Sequence, residues 1–205
     1  TAILMNVNNG EIISMVSYPD FDLNKRETVS DVNFINRATK GVYELGSVFK
    51  TFTVAAGLEE GLIKTDTEFL NLEKKLKCGK NIISEYDKKI PSNLTVEQIL
   101  IRSGNIGAVR IGQKLEIEKL KSFLQKIGIL SKINFDIEEV GVPIPFKWGK
   151  CKLATVSFGH GITTTPLQLA KGYAIIANGG FEIKPSLIKK KLEESQNQKR
   201  IIKEG

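Results

Sequence analysis

The sequence is poor in the residues that build metal centres. It has one histidine, His160, and two cysteines, Cys78 and Cys151, which stand far apart and form no C-x-x-C pair. A single histidine excludes motifs with two histidine ligands, and the cysteines match no metal-ligand spacing, so no metal or other cofactor is expected. The two cysteines leave open a single disulfide or two small buried thiols, and they do not decide the redox compartment.

Long hydrophobic runs are also missing. No run reaches the roughly 18 apolar residues of a membrane-spanning helix, and the first residues, TAILMNVNNG, lack the charged-then-apolar layout of a signal peptide. A hydrophobic content of 41% in 205 residues is enough to bury a core. The sequence therefore predicts a globular, soluble chain whose membrane anchor, if the protein has one, lies outside it.

The charge pattern argues against nucleic acid as a partner. The formal net charge is +7, yet basic residues mostly alternate with acidic ones, as in LEIEKLKSFLQK. The densest basic cluster, Lys189 to Lys191, has no aromatic residue beside it, whereas nucleic-acid surfaces combine the two. The function that remains for the excess positive charge is a mild attraction to anionic lipid or cell-wall polymer.

Strand signals occur at both ends of the chain. AILMNV and EIISMVS flank an Asn-Gly turn, which predicts a hairpin within residues 1–20. The polar stretch SYPDFDLNKRETVSDVN follows as a loop. Near the C-terminus, FEIKPSLIKKK predicts extended chain within 181–205, and the last dozen residues are polar and expected to be mobile.

The middle of the chain, residues 46–180, is predicted to be mainly helical. A helix runs from near Ser47 to near Gly61, and LTVEQILI, IGAVRIGQKL and IEKLKSFLQKIG show helical spacing of apolar residues. Another helix begins with Thr165 as N-cap and Pro166 in its first turn. This order predicts an α+β domain with a helical subdomain and an incomplete antiparallel sheet.

An S-x-x-K pair at Ser47 and Lys50 is the first candidate for chemistry. With 12 Ser and 25 Lys, about 1.5 such pairs are expected by chance, and a second one occurs at Ser186 and Lys189. On a helix the Ser47 and Lys50 side chains share a face, and burial among apolar residues could lower the lysine pKa until it serves as a base. The alternative is a helix N-cap followed by a solvated lysine.

An S-x-N triplet at Ser103 and Asn105 interrupts the helical stretch. A hydroxyl and an amide on a tight loop suit a cleft, although a local turn is the alternative. A second triplet begins at Ser195 in the polar tail, where no core could hold it.

Together these motifs are typical of β-lactamases and penicillin-binding proteins. NRATKGVYELGSVFK resembles the stretch leading into the nucleophile of class B penicillin-binding proteins, SGNIG resembles their second motif, and SFGHGITTTPLQLAKGYAIIANGG resembles their long helix and the loop before it. AILMNVNNGEIISMVSYPDFD resembles the first strands of their transpeptidase domain. The matches follow family order over nearly the whole chain, and SGN with SFGHG favours the division (septal) type over the elongation type.

The resemblance implies a penicillin-binding, serine β-lactamase-like transpeptidase fold and four site residues. Ser47 would attack the D-Ala-D-Ala end of a peptidoglycan stem peptide, with Lys50 as the base. Ser103 would pass a proton to the leaving nitrogen, and Asn105 would bind the substrate amide and help orient Lys50. β-Lactams would acylate the same serine, and division-complex membrane proteins would be partners. The complete protein would have a single anchor in the inner membrane, with this domain on the periplasmic side.

The third motif of the family, Lys-Ser/Thr-Gly, occurs nowhere in the sequence. In the family it lies on a later strand, so we expect a partial transpeptidase domain, truncated before that strand and inactive by itself. The alternatives are a non-catalytic β-lactam sensor, a module that docks division proteins, or a serine β-lactamase. No Glu-bearing deacylation motif of a β-lactamase can be recognised.

Overall fold

A computed structural model describes residues 1–22, 24–25, 33–189 and 198–203. Part of the predicted polar loop and half of the C-terminal stretch expected to be mobile, including Ser195, lie outside these residues. The strands are short: β1 (Ala2–Met5), β2 (Ile12–Val16), β3 (Tyr43–Glu44), β4 (Glu68–Phe69), β5 (Lys75–Cys78), β6 (Asn81–Ser84), β7 (Leu94–Thr95) and β8 (Thr163–Thr164). The α-helices are α1 (Lys50–Glu59), α2 (Val96–Ile101), α3 (Asn105–Lys126), α4 (Lys150–Val156) and α5 (Pro166–Ala177).

The chain divides into two compact units. The first combines Thr1–Tyr43, Gln125–Ile144 and Thr163–Glu204, and the second combines Glu44–Leu124 with Pro145–Ile162. Helices and small antiparallel sheets together confirm the predicted α+β class. The domain boundaries predicted at residues 20, 46 and 180 stay a prediction.

The first unit is built on the predicted hairpin. Strands β1 and β2 pair antiparallel, with Ala2 opposite Val16, and Gly10 of the Asn-Gly turn has a φ of +78°. Glycine is suited to this left-handed conformation because it has no Cβ. A small apolar core lies against the hairpin, with Ile12, Ile133, Val140 and Leu167 buried at its centre.

Helix α5 begins at the predicted residues. Thr165 and Gln168 form a reciprocal capping box, and Pro166 is the first helical residue. The Gln168 amide also donates to the carbonyl oxygens of Gly128 and Ser131, at 2.9 and 2.6 Å. These bonds satisfy buried polar groups and join the helix start to the preceding loop.

Within residues 181–189 and 198–203, the predicted C-terminal extended segment forms isolated bridges rather than a continuous strand. Ser186 pairs with Glu11 in parallel, and Phe181 pairs with Arg200 antiparallel. Pro185 lies between the two bridges and has no N–H to donate to a ladder, which limits regular pairing there.

The second unit holds α1, α2, α4 and all but the last two residues of α3, together with β4 to β7. Phe49 and Phe52 are fully buried and pack edge to face with centroids 5.5 Å apart. The predicted break at SGN separates α2 from α3, and a kink that was not predicted lies inside α3, where Glu116 has a φ of 61° and a ψ of 175°. Across the described ranges, no helix is both long and apolar enough to cross a membrane.

A disulfide joins two elements of this unit. Cys78, at the end of β5, is bonded to Cys151 in α4, with Cα atoms 5.4 Å apart. β5 pairs with β6 in an antiparallel hairpin, so the bridge ties that hairpin to the helix. The sequence left the state of both cysteines open, and the structure shows them oxidised.

Candidate active site

Ser47 and Lys50 lie on a tight turn that leads into α1. A 3₁₀ helix over Gly46–Phe49 carries Ser47, and α1 begins at Lys50. Side chains three residues apart eclipse in a 3₁₀ helix, so the hydroxyl and the amine come together. The Lys50 Nζ atom lies 3.1 Å from Ser47 Oγ. The start of α1 has Phe49 as its N-cap and no side-chain cap, so the reading of Ser47 as a helix cap is wrong.

Lys50 is a buried amine rather than a solvated one. Its residue surface is only 1% exposed, and Nζ also donates to the carbonyl oxygen and the hydroxyl of Ser103. Burial penalises the ammonium form and lowers the pKa of Lys50 from 10.5 to about 8, although the charge of Glu85 opposes this shift. An amine with this pKa can take up and release a proton near neutral pH.

Ser103 occupies an unusual backbone position for a serine. Its φ is 55°, and its N–H donates to Leu100 O while the Gly104 N–H donates to Ile99 O. This pair of bonds is the Schellman pattern that ends a helix, in which the residue with positive φ is most often glycine. The turn brings Ser103 Oγ to 2.9 Å from Lys50 Nζ.

Asn105 is the first residue of α3, and β6 fixes its amide. The Asn105 Nδ2 atom donates to the carbonyl oxygen of Ser84 at 2.9 Å. The predicted contact of Asn105 with a substrate amide stays a prediction. The structure thus joins Ser47, Lys50 and Ser103 in one hydrogen-bonded group, with Asn105 on the same loop as Ser103.

Sequence reasoning missed Glu85, which directly follows β6. Its two carboxylate oxygens accept hydrogen bonds from the backbone N–H groups of Asn105 and Ile106, at 2.6 and 2.9 Å. A carboxylate at a helix N-terminus satisfies unpaired donors and complements the helix dipole. No spacing rule singled out this glutamate, because it lies 20 residues before its partner in the chain.

The loop that contains SFGHG packs against the turn of Ser47. The Gly46 N–H donates to Gly159 O at 3.1 Å, and a Cβ on Gly159, whose φ is 84°, would collide with Gly46 O. Glu44 accepts from the Gly161 N–H and lies 3.0 Å from His160 Nδ1. These contacts hold the loop of His160 beside the turn of Ser47. The described ranges hold no group of three or more His, Cys, Asp or Glu side chains that could bind a metal.

Ser186, the competing S-x-x-K serine, has a structural role. It is 5% exposed, and its Oγ donates to Asp136 Oδ2 at 2.7 Å while accepting from the Ile188 N–H. The hydrogen bond from Ser186 lowers the pKa of Asp136. This serine therefore holds a loop in place.

Comparison with known proteins identifies the family. The family model for the penicillin binding protein transpeptidase domain matches residues 1–205. The chain is 34% identical over 189 residues to a probable peptidoglycan D,D-transpeptidase FtsI of Caulobacter vibrioides, covering 92% of this chain and 32% of that protein. It is 30% identical over 204 residues to the peptidoglycan D,D-transpeptidase FtsI of Buchnera aphidicola (Schizaphis graminum), covering 98% of this chain and 35% of that protein. The chain thus spans about a third of the length of these relatives.

Solved structures agree with this match at the level of the fold. The apo transpeptidase domain of Burkholderia pseudomallei penicillin-binding protein 3 superposes with a TM-score of 0.84 at 23% identity, over 98% of this chain and 56% of that one. The family and the fold read from the sequence motifs are therefore confirmed. The chain belongs to the penicillin-binding protein transpeptidase domain family.

Proposed function

We propose that the complete protein is a peptidoglycan D,D-transpeptidase of septal cell-wall synthesis that acts through an acyl-enzyme on Ser47. The observation that carries the proposal is the buried amine of Lys50, which contacts the hydroxyls of both Ser47 and Ser103. The FtsI names of the relatives support the septal assignment.

In the acylation step, Ser47 Oγ attacks the carbonyl carbon of the penultimate D-alanine. The neutral Lys50 amine takes the hydroxyl proton, so a pKa near 8 leaves an active fraction of base at neutral pH. The peptide C–N bond then breaks as Ser103 passes its hydroxyl proton to the leaving nitrogen and takes the proton that Lys50 holds, which returns Lys50 to the neutral amine. The terminal D-alanine departs, and the carbonyl carbon of the penultimate D-alanine stays bonded to Ser47 Oγ as an ester.

In the second step, the amine of a neighbouring stem peptide attacks this ester. Lys50 accepts a proton from that amine, the C–O bond to Ser47 breaks, and the serine regains its proton. The product is a peptide cross-link, and Asn105 holds the amide of the substrate. A β-lactam takes the place of the substrate in the first step. Ser47 Oγ opens its ring, and the acyl adduct that forms reacts on only slowly.

The disulfide supports a location outside the cytoplasm. Structural disulfides persist in oxidising compartments such as the periplasm, and both cysteines are bonded here. We place the domain on the external side of the inner membrane, held by a single anchor of the complete protein and in contact with membrane proteins of the division complex.

Labelling with a fluorescent penicillin tests this proposal in the complete protein. We expect one covalent label per molecule in the wild type and none after Ser47→Ala. Ser122→Ala, which removes an exposed serine on α3, is the matched control and should label like the wild type. Labelling of Ser47→Ala would refute the assignment of the nucleophile.

A second measurement separates the enzyme from a β-lactam sensor. A transpeptidase must join two stem peptides, whereas a sensor forms the penicillin adduct without making cross-linked product. Incubation of the complete protein with a stem-peptide donor and an acceptor amine, followed by mass spectrometry, is expected to give the cross-linked peptide. Penicillin labelling without this product would favour the sensor.

A further inference from the structure

Glu85 connects the β5–β6 hairpin to the second motif of the site. Its carboxylate accepts the backbone N–H groups of both Asn105 and Ile106, and the preceding residue, Ser84, accepts the Asn105 amide. Three hydrogen bonds thus fix the first turn of α3 to the end of β6. The S-x-N loop ends in this turn, so the position of Ser103 depends on these bonds.

The same carboxylate acts on the base of the site. The Glu85 carboxylate lies beside the loop that the amine contacts, since a Cβ on Gly104 would come 3.7 Å from Oε1, and its negative charge opposes the fall in the Lys50 pKa that burial causes. The other groups that contact the amine, the Ser47 hydroxyl and the Ser103 hydroxyl and carbonyl, carry no net charge. Removing the Glu85 charge should therefore lower the Lys50 pKa further.

We propose that Glu85 is a positioning residue of the active site, which holds the Ser103–Asn105 loop and supplies the negative charge that acts on Lys50. The inference rests on the proposed function, because it concerns acylation of Ser47. Glu85 touches neither the substrate nor the reacting atoms in this role. It acts through the backbone of α3 and through the charge state of the amine.

The test is the pH profile of penicillin acylation in the complete protein, measured from about pH 6 to about pH 9.5. The wild-type rate should rise with pH, because only the neutral amine accepts the Ser47 proton, and its midpoint should lie near the Lys50 pKa of about 8. The midpoint reports the charge acting on Lys50, and the plateau at high pH reports the positioning of the loop.

Two substitutions separate these contributions. In Glu85→Gln the charge is lost and an NH₂ group faces one of the backbone donors, so we expect the midpoint to fall by about half a pH unit or more and the plateau by about tenfold. Glu85→Asp keeps the charge on a shorter side chain. Its midpoint should stay at the wild-type value while its plateau falls.

Asp87→Asn is the matched control, since Asp87 is an exposed acid two residues away whose carboxylate accepts from the Lys89 N–H. Both parameters should be unchanged in this variant, and circular dichroism should show that all the variants are folded. A Glu85→Gln profile that overlays the wild-type profile would overturn the inference. So would equal midpoints for the Gln and Asp variants.

The result is distinguishable from a failure of the proposed function. Labelling that persists in Ser47→Ala would remove the proposed nucleophile whatever the Glu85 variants do. Labelling that needs Ser47 but is insensitive to Glu85 would leave the proposed function intact and overturn this inference alone.

Discussion

At the scale of one residue, Ser103 keeps a hydroxyl in the candidate site at the cost of a strained backbone conformation. It ends α2 in the left-handed conformation, with a φ of 55°, where a residue with a Cβ costs about 1–2 kcal/mol. A glycine would relieve this strain but would remove the hydroxyl that contacts Lys50 Nζ. Strain of this kind persists where the surrounding hydrogen bonds hold the residue in place.

The comparison of Ser103→Gly with Ser103→Ala isolates this strain. Both variants lose the hydroxyl, so both should acylate with penicillin at least about 100-fold more slowly than the wild type. Only glycine relieves the positive φ, so its unfolding free energy should exceed that of the alanine variant by about 1 kcal/mol. Stopped-flow labelling and denaturant unfolding of the complete protein measure the two quantities. Equal stabilities would show that the turn is not strained.

The sequence was informative about the proposed reacting groups and silent about the residues that support them. Ser47, Lys50, Ser103 and Asn105 follow fixed motifs, because their chemistry demands particular side chains at short spacings. Glu85 acts on backbone N–H groups that any residue could supply, so its role leaves no local pattern. Burial of Lys50 likewise depends on packing, which motif spacing does not specify.

At the scale of elements, local rules predicted helices better than strands. The N-cap at Thr165 and the break at SGN between α2 and α3 followed from short-range sequence signals, whereas the kink at Glu116 was not predicted. The β5–β6 hairpin carries Glu85 at its end, but its strands give a weak signal: KLKC alternates polar and apolar residues over only four positions, and NIIS does not alternate. Its place in the unit depends on the bond between Cys78 and Cys151, which spans 73 residues and has no local signature.

Removal of this disulfide should destabilise the complete protein measurably. In the chain-entropy model, a bridge closing a loop of this length contributes about 4 kcal/mol, so we expect the variant with both cysteines changed to serine to melt about 10 °C below the oxidised wild type. Wild-type protein reduced with dithiothreitol should melt like the double variant and serves as the control. If oxidised wild type and double variant melt together, the bridge does not constrain the fold.

At the scale of the molecule, the chain contains two of the three motifs of its family. Ser47, Lys50, Ser103 and Asn105 all belong to one compact unit, so the groups of the proposed proton transfers come together within these residues. The Lys-Ser/Thr-Gly motif is missing from the sequence and lies on a later strand in the family. That strand would add an oxyanion donor and one wall of the substrate cleft.

Residues 1–205 alone should therefore acylate slowly even when they are folded. Loss of one oxyanion donor costs about 100-fold to 1,000-fold in rate, and loss of the cleft wall weakens binding further. We expect the isolated chain to react with fluorescent penicillin at least about 100-fold more slowly than the complete protein, as measured by labelling time courses. Circular dichroism and an intact Cys78–Cys151 bridge would show that the isolated chain is folded. Labelling of that folded chain at the rate of the complete protein would mean that the Ser47–Lys50–Ser103 group acylates without the third motif.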